Sequence, residues 1–247
     1  FLTWSLAGKY PRILEDEIVG EEAKRLFKDA NDMLDELEAS GKVQAAGIIG
    51  IFPANRVNDD LEVYTDESRS EVLTRLCGLR QQTKKGEGYA NNCLSDFVAP
   101  KTSGKADYIG AFAVTGGIGE SDLIEAYKAD HDDYNAIMMS AVCDRLAEGF
   151  AELLHKKVRK EIWGYAPNES LGNDDLIREK YQGIRPAPGY PACPEHTEKG
   201  EIWKLLNVEA EIGMKLTESY AMWPGAAVSG WYFSHPESKY FAVAQID

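Results

Sequence analysis

Apolar residues near the start of the chain recur with helical spacing. Between Gly20 and Ser40 they fall every three or four positions, and charged residues fill the positions between them. Gly41 follows directly and suits the left-handed end of a helix. The pattern therefore predicts a first helix over residues 20–40.

Shorter apolar runs and alternating patterns predict the strands. Residues 47–52 form an apolar run that ends at Pro53, and residues 61–64 alternate after a polar turn. A third strand is predicted over residues 108–114. Residues 229–233 and 240–246 are predicted to pair as a closing hairpin.

Helical spacing recurs over residues 70–82, 134–160, 173–178 and 201–208, and each range is predicted to form a helix. A further helix is predicted to begin at a cap near Ser121. The helix over residues 134–160 is the longest. Its predicted buried stripe consists of Val142, Leu146, Phe150, Leu153 and Leu154. Helices and strands alternate irregularly, and the last two strands are adjacent. These features favour a single α+β domain over a doubly wound sheet.

A glycine-rich stretch between the predicted strand and the next helix could form a phosphate-binding loop. Free backbone N–H groups at a helix start can hold an anion, and Thr115 to Gly119 precede such a start. However, Asp122 stands where the dinucleotide-binding fingerprint has its third glycine. A plain turn is therefore favoured. A Rossmann methyltransferase or dehydrogenase that uses Gly116 to Gly119 is disfavoured.

The charge and the cysteines narrow the classes of function. The 247 residues carry a formal net charge of −14, which argues against a nucleic-acid partner. No run of 18 apolar residues occurs, so no membrane partner is expected. The four cysteines lack C-x-x-C spacing, which disfavours a metal site and predicts reduced thiols in a cytoplasmic protein.

Two polar patterns have both a structural and a functional interpretation. Asp144, Glu148 and His155 fall on one face of the predicted long helix, as a solvated face or as a cation site. The basic residues between Arg75 and Lys105 are either solvated or form a docking face for an acidic partner.

Residues 185–194 contain four prolines in ten positions. Because each proline fixes its backbone angle φ, such a segment is stiff and irregular. It includes Arg185 and Tyr190. It is either a structural crossing loop or a rigid loop for a small ligand that carries a carboxylate and a polar ring.

Several long strings of residues resemble one known family. They are RPAPGYPACPEH at 185–196, TWSLAGKYP at 3–11, DFVAP at 96–100, DYIGAF at 107–112, HDDY at 131–134, WGYAPN at 163–168 and AMWPGA at 221–226. Across the whole chain they resemble the C-terminal activation domain of cobalamin-dependent methionine synthases.

The resemblance implies a function and a fold. The parent enzymes move a methyl group from methyltetrahydrofolate to homocysteine through cobalamin. The activation domain binds S-adenosylmethionine (AdoMet), which supplies the methyl group when oxidised cob(II)alamin is reductively remethylated. The implied fold is one α+β domain over residues 1–247, with helices flanking a twisted antiparallel sheet, and it is not a Rossmann fold.

The resemblance also implies partners and cofactors. Cobalamin is bound by a neighbouring domain of the same polypeptide, and zinc is bound only elsewhere in the parent enzyme. The electron comes from flavodoxin or from a flavoprotein reductase. An alternative is an interaction module that docks the cobalamin domain and flavodoxin and whose AdoMet site is degenerate.

Site residues carried over from the family fall into two groups. In the AdoMet site, Arg185 is expected to bind the methionyl carboxylate, Ala187 to offer backbone hydrogen bonds, and Tyr190 to lie beside the sulfonium and the cobalamin face. The other members are two acids near the cationic end of the ligand and an aromatic pair near its adenosyl part, namely Glu148, Glu179, Tyr240 and Phe241. Asp144 and Glu120 are expected to contact the cobalamin domain.

No acid, base or nucleophile is expected from this domain, because the sulfonium is already an activated methyl donor. The family has a further AdoMet-binding aspartate before the position of Phe1 and a helical tail after the last strand. We therefore expect residues 1–247 to be a fragment that lacks both segments and that either binds AdoMet weakly or is less stable than the full domain.

Overall fold

The computed structural model describes residues 1–243, in which helices and strands alternate irregularly. The α-helices of these residues are α1 (Gly20–Ser40), α2 (Glu120–Ala129), α3 (Asp133–Lys157), α4 (Asn173–Ile177), α5 (Glu198–Leu206) and α6 (Val208–Ile212). The strands are β1 (Gln44–Val57), β2 (Asp60–Tyr64), β3 (Val72–Leu76), β4 (Asp107–Ile118), β5 (Lys215–Leu216), β6 (Met222–Trp223) and β7 (Ala227–Tyr232).

The chain divides into two compact units. Unit 1 contains Phe1–Ala46, Thr115–Gly149 and Pro224–Ala227, which include α1, α2 and most of α3. Unit 2 contains Gly47–Val114, Phe150–Trp223 and the described residues from Val228 onward, which include most of the sheet and α4 to α6. The single domain expected over residues 1–247 stays a prediction.

Five strands form one sheet in the order β3-β2-β1-β4-β7, and β5 pairs with β6 in a second, small sheet. The pairs β1–β2 and β2–β3 are antiparallel. These hairpin connections distinguish the sheet from the parallel sheet of a Rossmann fold. The predicted α+β class, with an antiparallel sheet and flanking helices, is therefore confirmed.

The core of unit 2 lies on β4 and β7. Phe112 and Tyr232 are buried and stack with their ring centroids 4.5 Å apart. Ala151 and Val158 are buried in the same cluster. This packing fixes the last turns of α3 against the part of the sheet on which the candidate site lies.

The helix predicted over residues 20–40 is confirmed as α1, and it ends at Gly41 as predicted. The helix spans Gly20–Ser40, and Gly41 adopts a left-handed conformation with φ of 61°. The Gly41 N–H donates to the Leu37 carbonyl, which satisfies a carbonyl at the helix end.

The helix predicted over residues 70–82 is wrong, because Val72–Leu76 form β3. Arg75 lies opposite Glu62 of β2, and their side chains form an ion pair at 2.7 Å. Cross-strand pairing therefore prevails over the helical spacing of the leucines.

The glycine turn predicted at Thr115 to Gly119 is also wrong, because β4 continues through Thr115 and ends only at Ile118. A Cβ atom on Gly116 would lie 2.7 Å from the Ala147 nitrogen. The missing side chain thus allows β4 and α3 to approach closely within unit 1, and no phosphate loop forms.

The buried stripe predicted for the long helix is partly confirmed, because Val142 is buried and Phe150 and Leu154 pack against the core. The other two members are exposed. Leu146 and Leu153 are 40% and 52% exposed. The buried positions include residues spaced four apart along α3, namely Met139, Cys143, Ala147 and Ala151. The small side chains among them let neighbouring backbone come close.

Towards the end of the chain, β7 agrees with the strand predicted over residues 229–233. Residues 240–243 form no strand, so the predicted closing hairpin is wrong as far as the described residues extend. The remainder of that prediction, residues 244–246, lies outside them. The segment instead bonds to loops, with the Val243 N–H donating to the Pro191 carbonyl at 2.8 Å.

Glu198 at the start of α5 carries a buried carboxyl group. The residue is 9% exposed, and its Oε1 accepts a hydrogen bond from the Cys77 N–H at 3.4 Å. Burial, together with the nearby carboxylate of Glu201, raises the pKa of Glu198 from 4.5 to about 7. The folded chain therefore opposes ionisation of this group.

We predict that Glu198→Gln stabilises the protein near pH 8 but not near pH 4.5. Below pH 4.5 the carboxyl is protonated in both the folded and the unfolded chain. As the pH rises towards about 7, only the unfolded chain ionises, so native stability is lost. The gain in free energy of unfolding is up to about 3 kcal/mol.

Urea unfolding at the two pH values measures this difference. Glu211→Gln on α6 is the control, because Glu211 is exposed and its replacement should act equally at both pH values. A Glu198→Gln effect that does not change with pH would contradict the prediction.

Candidate functional site

Residues 184–186 are bonded to β7 and its end. Ile184 and Phe233 exchange two backbone hydrogen bonds of 3.0 Å, and the Trp231 N–H donates to the Pro186 carbonyl at 3.0 Å. Pro186 has no N–H to return, so regular pairing cannot continue there. Arg185 thus lies between two residues whose backbone is hydrogen-bonded to β7 or its end. Its own backbone position is therefore fixed as firmly as that of a residue in a strand.

The residues after Pro186 form a tight turn that carries Tyr190. The Tyr190 N–H donates to the Ala187 carbonyl at 3.2 Å, and the Gly189 N–H donates to the Cys193 carbonyl at 2.7 Å. Gly189 has φ of 96°, and the His196 ring occupies the space where a Cβ would lie. The turn leaves the Tyr190 side chain 65% exposed.

The Arg185 guanidinium is mostly buried and is held by three side chains. Its Nη2 pairs with Glu152 Oε2 at 2.9 Å. Its Nη1 donates to the Tyr181 hydroxyl at 2.9 Å and lies 3.3 Å from His155 Nδ1. Two of these partners come from the last turns of α3.

His155 is fully buried between aromatic rings. Its ring stacks on Tyr232 and meets the edge of Tyr181, with centroids 5.0 Å apart in each case. Burial and the charges of Arg159 and Arg185 hold the pKa of His155 well below its ordinary value of 6.5. The neutral ring can therefore accept a hydrogen bond from Arg185.

A second buried arginine, Arg159, follows His155 by one helical turn. Arg159 and Glu169 form a two-bonded ion pair, with N–O distances of 2.6 and 2.9 Å, and both side chains are almost fully buried. The Arg159 guanidinium lies 4.0 Å from the centroid of Tyr181. Arg159 therefore fixes the ring whose hydroxyl contacts Arg185.

The structure brings several predicted site residues together in unit 2. The Arg185 backbone N–H donates to the Tyr240 hydroxyl at 3.0 Å. Phe241 follows and is half-buried. Burial raises the pKa of Tyr240, and the nearby Glu179 carboxylate adds to the rise. Glu179 itself is exposed and adopts a left-handed conformation.

The remaining predicted residues lie in unit 1. Glu148 and Asp144 are exposed on α3, and Asp144 lines an apolar groove of about 740 Å³ together with residues such as Trp4 and Phe27. Glu120 begins α2 and is buried, and its Oε1 accepts the Ala226 N–H at 3.4 Å. Burial raises the pKa of Glu120. Contact of Asp144 and Glu120 with another domain stays a prediction.

The predicted face of Asp144, Glu148 and His155 does not exist as one surface, because only the two acids are exposed. Sequence analysis also missed Glu152, Tyr181 and the Arg159–Glu169 pair. One signal was present, namely charged residues at three- and four-residue spacing on a helix segment that also carries Ala151 and Val158.

The predicted basic docking face is partly neutralised. Arg75 and Lys101 both pair with Glu62, and Arg80 pairs with Asp59 and Asp96. Within residues 1–243, the amino groups of Lys84 and Lys105 form no ion pair. No helix of the described residues is long and apolar enough to cross a membrane.

Comparison with known proteins gives two consistent matches. A family model for the activation domain of vitamin B12 dependent methionine synthase matches residues 1–247. A solved structure described as the MetH reactivation domain bound to AdoHcy is similar to this chain, with a TM-score of 0.97 and 71% sequence identity. The match covers 100% of this chain and 75% of that one.

We predict that Arg159→Met lowers the free energy of unfolding by about 3–5 kcal/mol, because it leaves the buried Glu169 carboxylate without a partner. The control is Lys180→Met, which breaks an exposed pair with Asp175 and should cost less than about 1 kcal/mol. Urea unfolding measures both. The prediction fails if the two losses are similar.

Proposed function

The chain belongs to the activation-domain family of vitamin B12-dependent methionine synthases, and on that premise we propose that it binds AdoMet at Arg185 for the reactivation of cobalamin. AdoHcy, present in the similar MetH structure, is AdoMet without the transferred methyl group. The observation that carries the proposal is the incomplete hydrogen bonding of a nearly buried guanidinium.

Arg185 has five N–H donors in its guanidinium. Nη1 has two acceptors and Nη2 has one, so within residues 1–243 the Nε–H and one Nη2–H have no protein acceptor. Nε–H and Nη2–H groups lie along one edge of a guanidinium, where a carboxylate can accept both. This edge suits the methionyl carboxylate.

Neighbouring groups suit the rest of the ligand. The Ala187 N–H has no acceptor among the described residues, and it follows Arg185 by two positions on the anchored segment. Tyr190 offers an exposed ring beside the expected position of the sulfonium. Tyr240, bonded to the Arg185 backbone, and Phe241 are assigned to the adenosyl part.

The acids are assigned to the cationic end of the ligand. Glu179 and Glu148 are both exposed, and neither forms an ion pair within the described residues. An unpaired carboxylate is the group that a sulfonium or an ammonium group attracts. Their carboxylates favour binding of the positively charged methyl donor.

The chemistry of methyl transfer does not come from this chain. Cobalamin, bound by a neighbouring domain, supplies the cobalt that accepts the methyl group. The residues of this chain hold the donor in a fixed position and exclude water from it, which is a proximity effect. Asp144 and Glu120 are assigned to contact with the cobalamin domain.

The remaining assignments follow the family. Residues 1–247 act as one activation domain, zinc is bound elsewhere in the parent enzyme, and the protein works in the cytoplasm, where its four free cysteines stay reduced. The alternative of an interaction module with a degenerate site is disfavoured, because among residues 1–243 neither the Arg185 edge nor the Ala187 N–H has an acceptor.

We predict that Arg185→Ala weakens AdoHcy binding about 100-fold, since two charge-assisted hydrogen bonds are lost. Isothermal titration of this chain measures the change. In the full-length enzyme the variant should lose reactivation and keep turnover of the primed enzyme.

Lys180→Ala is the matched control, because it removes an exposed cation close by in sequence. Unchanged AdoHcy affinity in Arg185→Ala would refute the assignment of the carboxylate. Equal loss of reactivation and primed turnover would refute the division of roles.

We propose flavodoxin as the electron donor that docks on the basic stretch. Lys84→Glu combined with Lys105→Glu should weaken binding about tenfold at low salt and reduce its salt dependence, because these exposed cations attract an acidic partner. Lys157→Glu with Lys204→Glu is the charge-matched control. Equal effects of the two double variants would exclude this docking face.

A further inference from the structure

Three charged or polar residues of α3 and of the turn after it point to a role beyond helix stability. Glu152 and His155 lie about 60° apart around α3 at 100° per residue, and Arg159 follows in the turn after α3. The same stretch contributes Ala151 and Val158 to the core. Polar side chains on a segment that packs into a core need partners, because an unpaired buried polar group is costly.

Two of the three residues find their partner in Arg185. Glu152 Oε2 pairs with Nη2 at 2.9 Å, and His155 Nδ1 lies 3.3 Å from Nη1. Because Nδ1 accepts from Arg185, the ring proton belongs on Nε2, which lies 3.3 Å from the Tyr165 hydroxyl. The hydrogen-bond chain thus extends from Arg185 through His155 to Tyr165.

We propose that Glu152 and His155 are positioning residues that fix the Arg185 guanidinium so that its free edge faces the ligand carboxylate. This inference rests on the proposed function. Arginine side chains have many rotamers, and ordering one on binding would cost affinity. Holding the guanidinium beforehand removes that cost.

The burial or pairing of their polar atoms assigns both residues a role through Arg185, without contact to the ligand. His155 is fully buried. The Glu152 side chain is 28% exposed, but its Oε1 is buried without a hydrogen-bond partner among the described residues, and its Oε2 pairs with Arg185. Neither residue therefore offers an atom that is both accessible and unpaired, which separates them from the exposed acids Glu148 and Glu179.

The pairing also sets the electrostatics of the site. A carboxylate beside Arg185 lowers the net charge that an incoming carboxylate meets, so it would weaken binding if attraction alone decided the affinity. Positioning predicts the opposite outcome. Removing the Glu152 charge therefore distinguishes a positioning residue from a competing one.

The experiment compares two ligands that differ in the amino-acid part. AdoHcy contains the methionyl-type carboxylate, and 5′-methylthioadenosine has the same nucleoside and thioether without it. Isothermal titration of this chain and of Glu152→Gln gives both dissociation constants. We expect about a tenfold weaker affinity for AdoHcy and an unchanged affinity for 5′-methylthioadenosine.

Each other outcome has a defined meaning. Equal loss for both ligands would show a merely structural role and overturn the proposal, as would unchanged or tighter AdoHcy binding. If the wild-type chain bound no AdoHcy, the proposed function would fail and this inference with it. Thermal unfolding verifies that the variant is folded, and Glu161→Gln, an exposed acid near the same helix end, is the matched control.

Discussion

The charge of the Arg185 guanidinium is the constraint on which the site depends. Removing a guanidinium from water costs several kcal/mol unless acceptors surround it. Here the acceptors come from Glu152 and His155 of α3 and from Tyr181, close to the segment that carries Arg185 itself. They reach it only because residues 184–186 are hydrogen-bonded to β7 and Phe233. Sheet, helix and irregular segment must therefore all be in place before the binding edge exists.

Two arginines in the same neighbourhood show how the surroundings decide a residue's role. Arg159 is fully buried and bonded twice to Glu169, and it serves to hold Tyr181, although its Nη1 has no hydrogen-bond partner within residues 1–243. Arg185 is 17% exposed, and within residues 1–243 it retains two N–H groups without a protein acceptor. Both guanidinium groups are therefore incompletely bonded, but Arg159 is sealed inside the framework, whereas Arg185 is held by that framework and stays accessible. Incomplete pairing of an ordered and accessible group is typical of a binding group.

The sequence predicted the elements whose signals are local. The apolar spacing and Gly41 define α1, and alternation after a polar turn defines β2. The signals failed where distant partners decide the structure. Val72–Leu76 form a strand because β2 is available for pairing, and Gly116 lies in β4 because α3 needs the space of its side chain. Neither partner can be identified from the residues of the segment alone, so local spacing pointed to the wrong element.

The candidate site divides in the same way. Arg185, Ala187 and Tyr190 are contiguous, so one motif identifies all three. Their supports are dispersed between Glu152 and Tyr240, and each has an ordinary local explanation as a surface acid, a core histidine or a tail tyrosine. Only the folded chain shows that they converge on one guanidinium. A ligand contact can be recognised from residue type and motif, but a positioning contact consists of a distance and an orientation between residues far apart in sequence. For that reason the supporting shell of a site is expected to escape sequence analysis even where the ligand-binding residues do not.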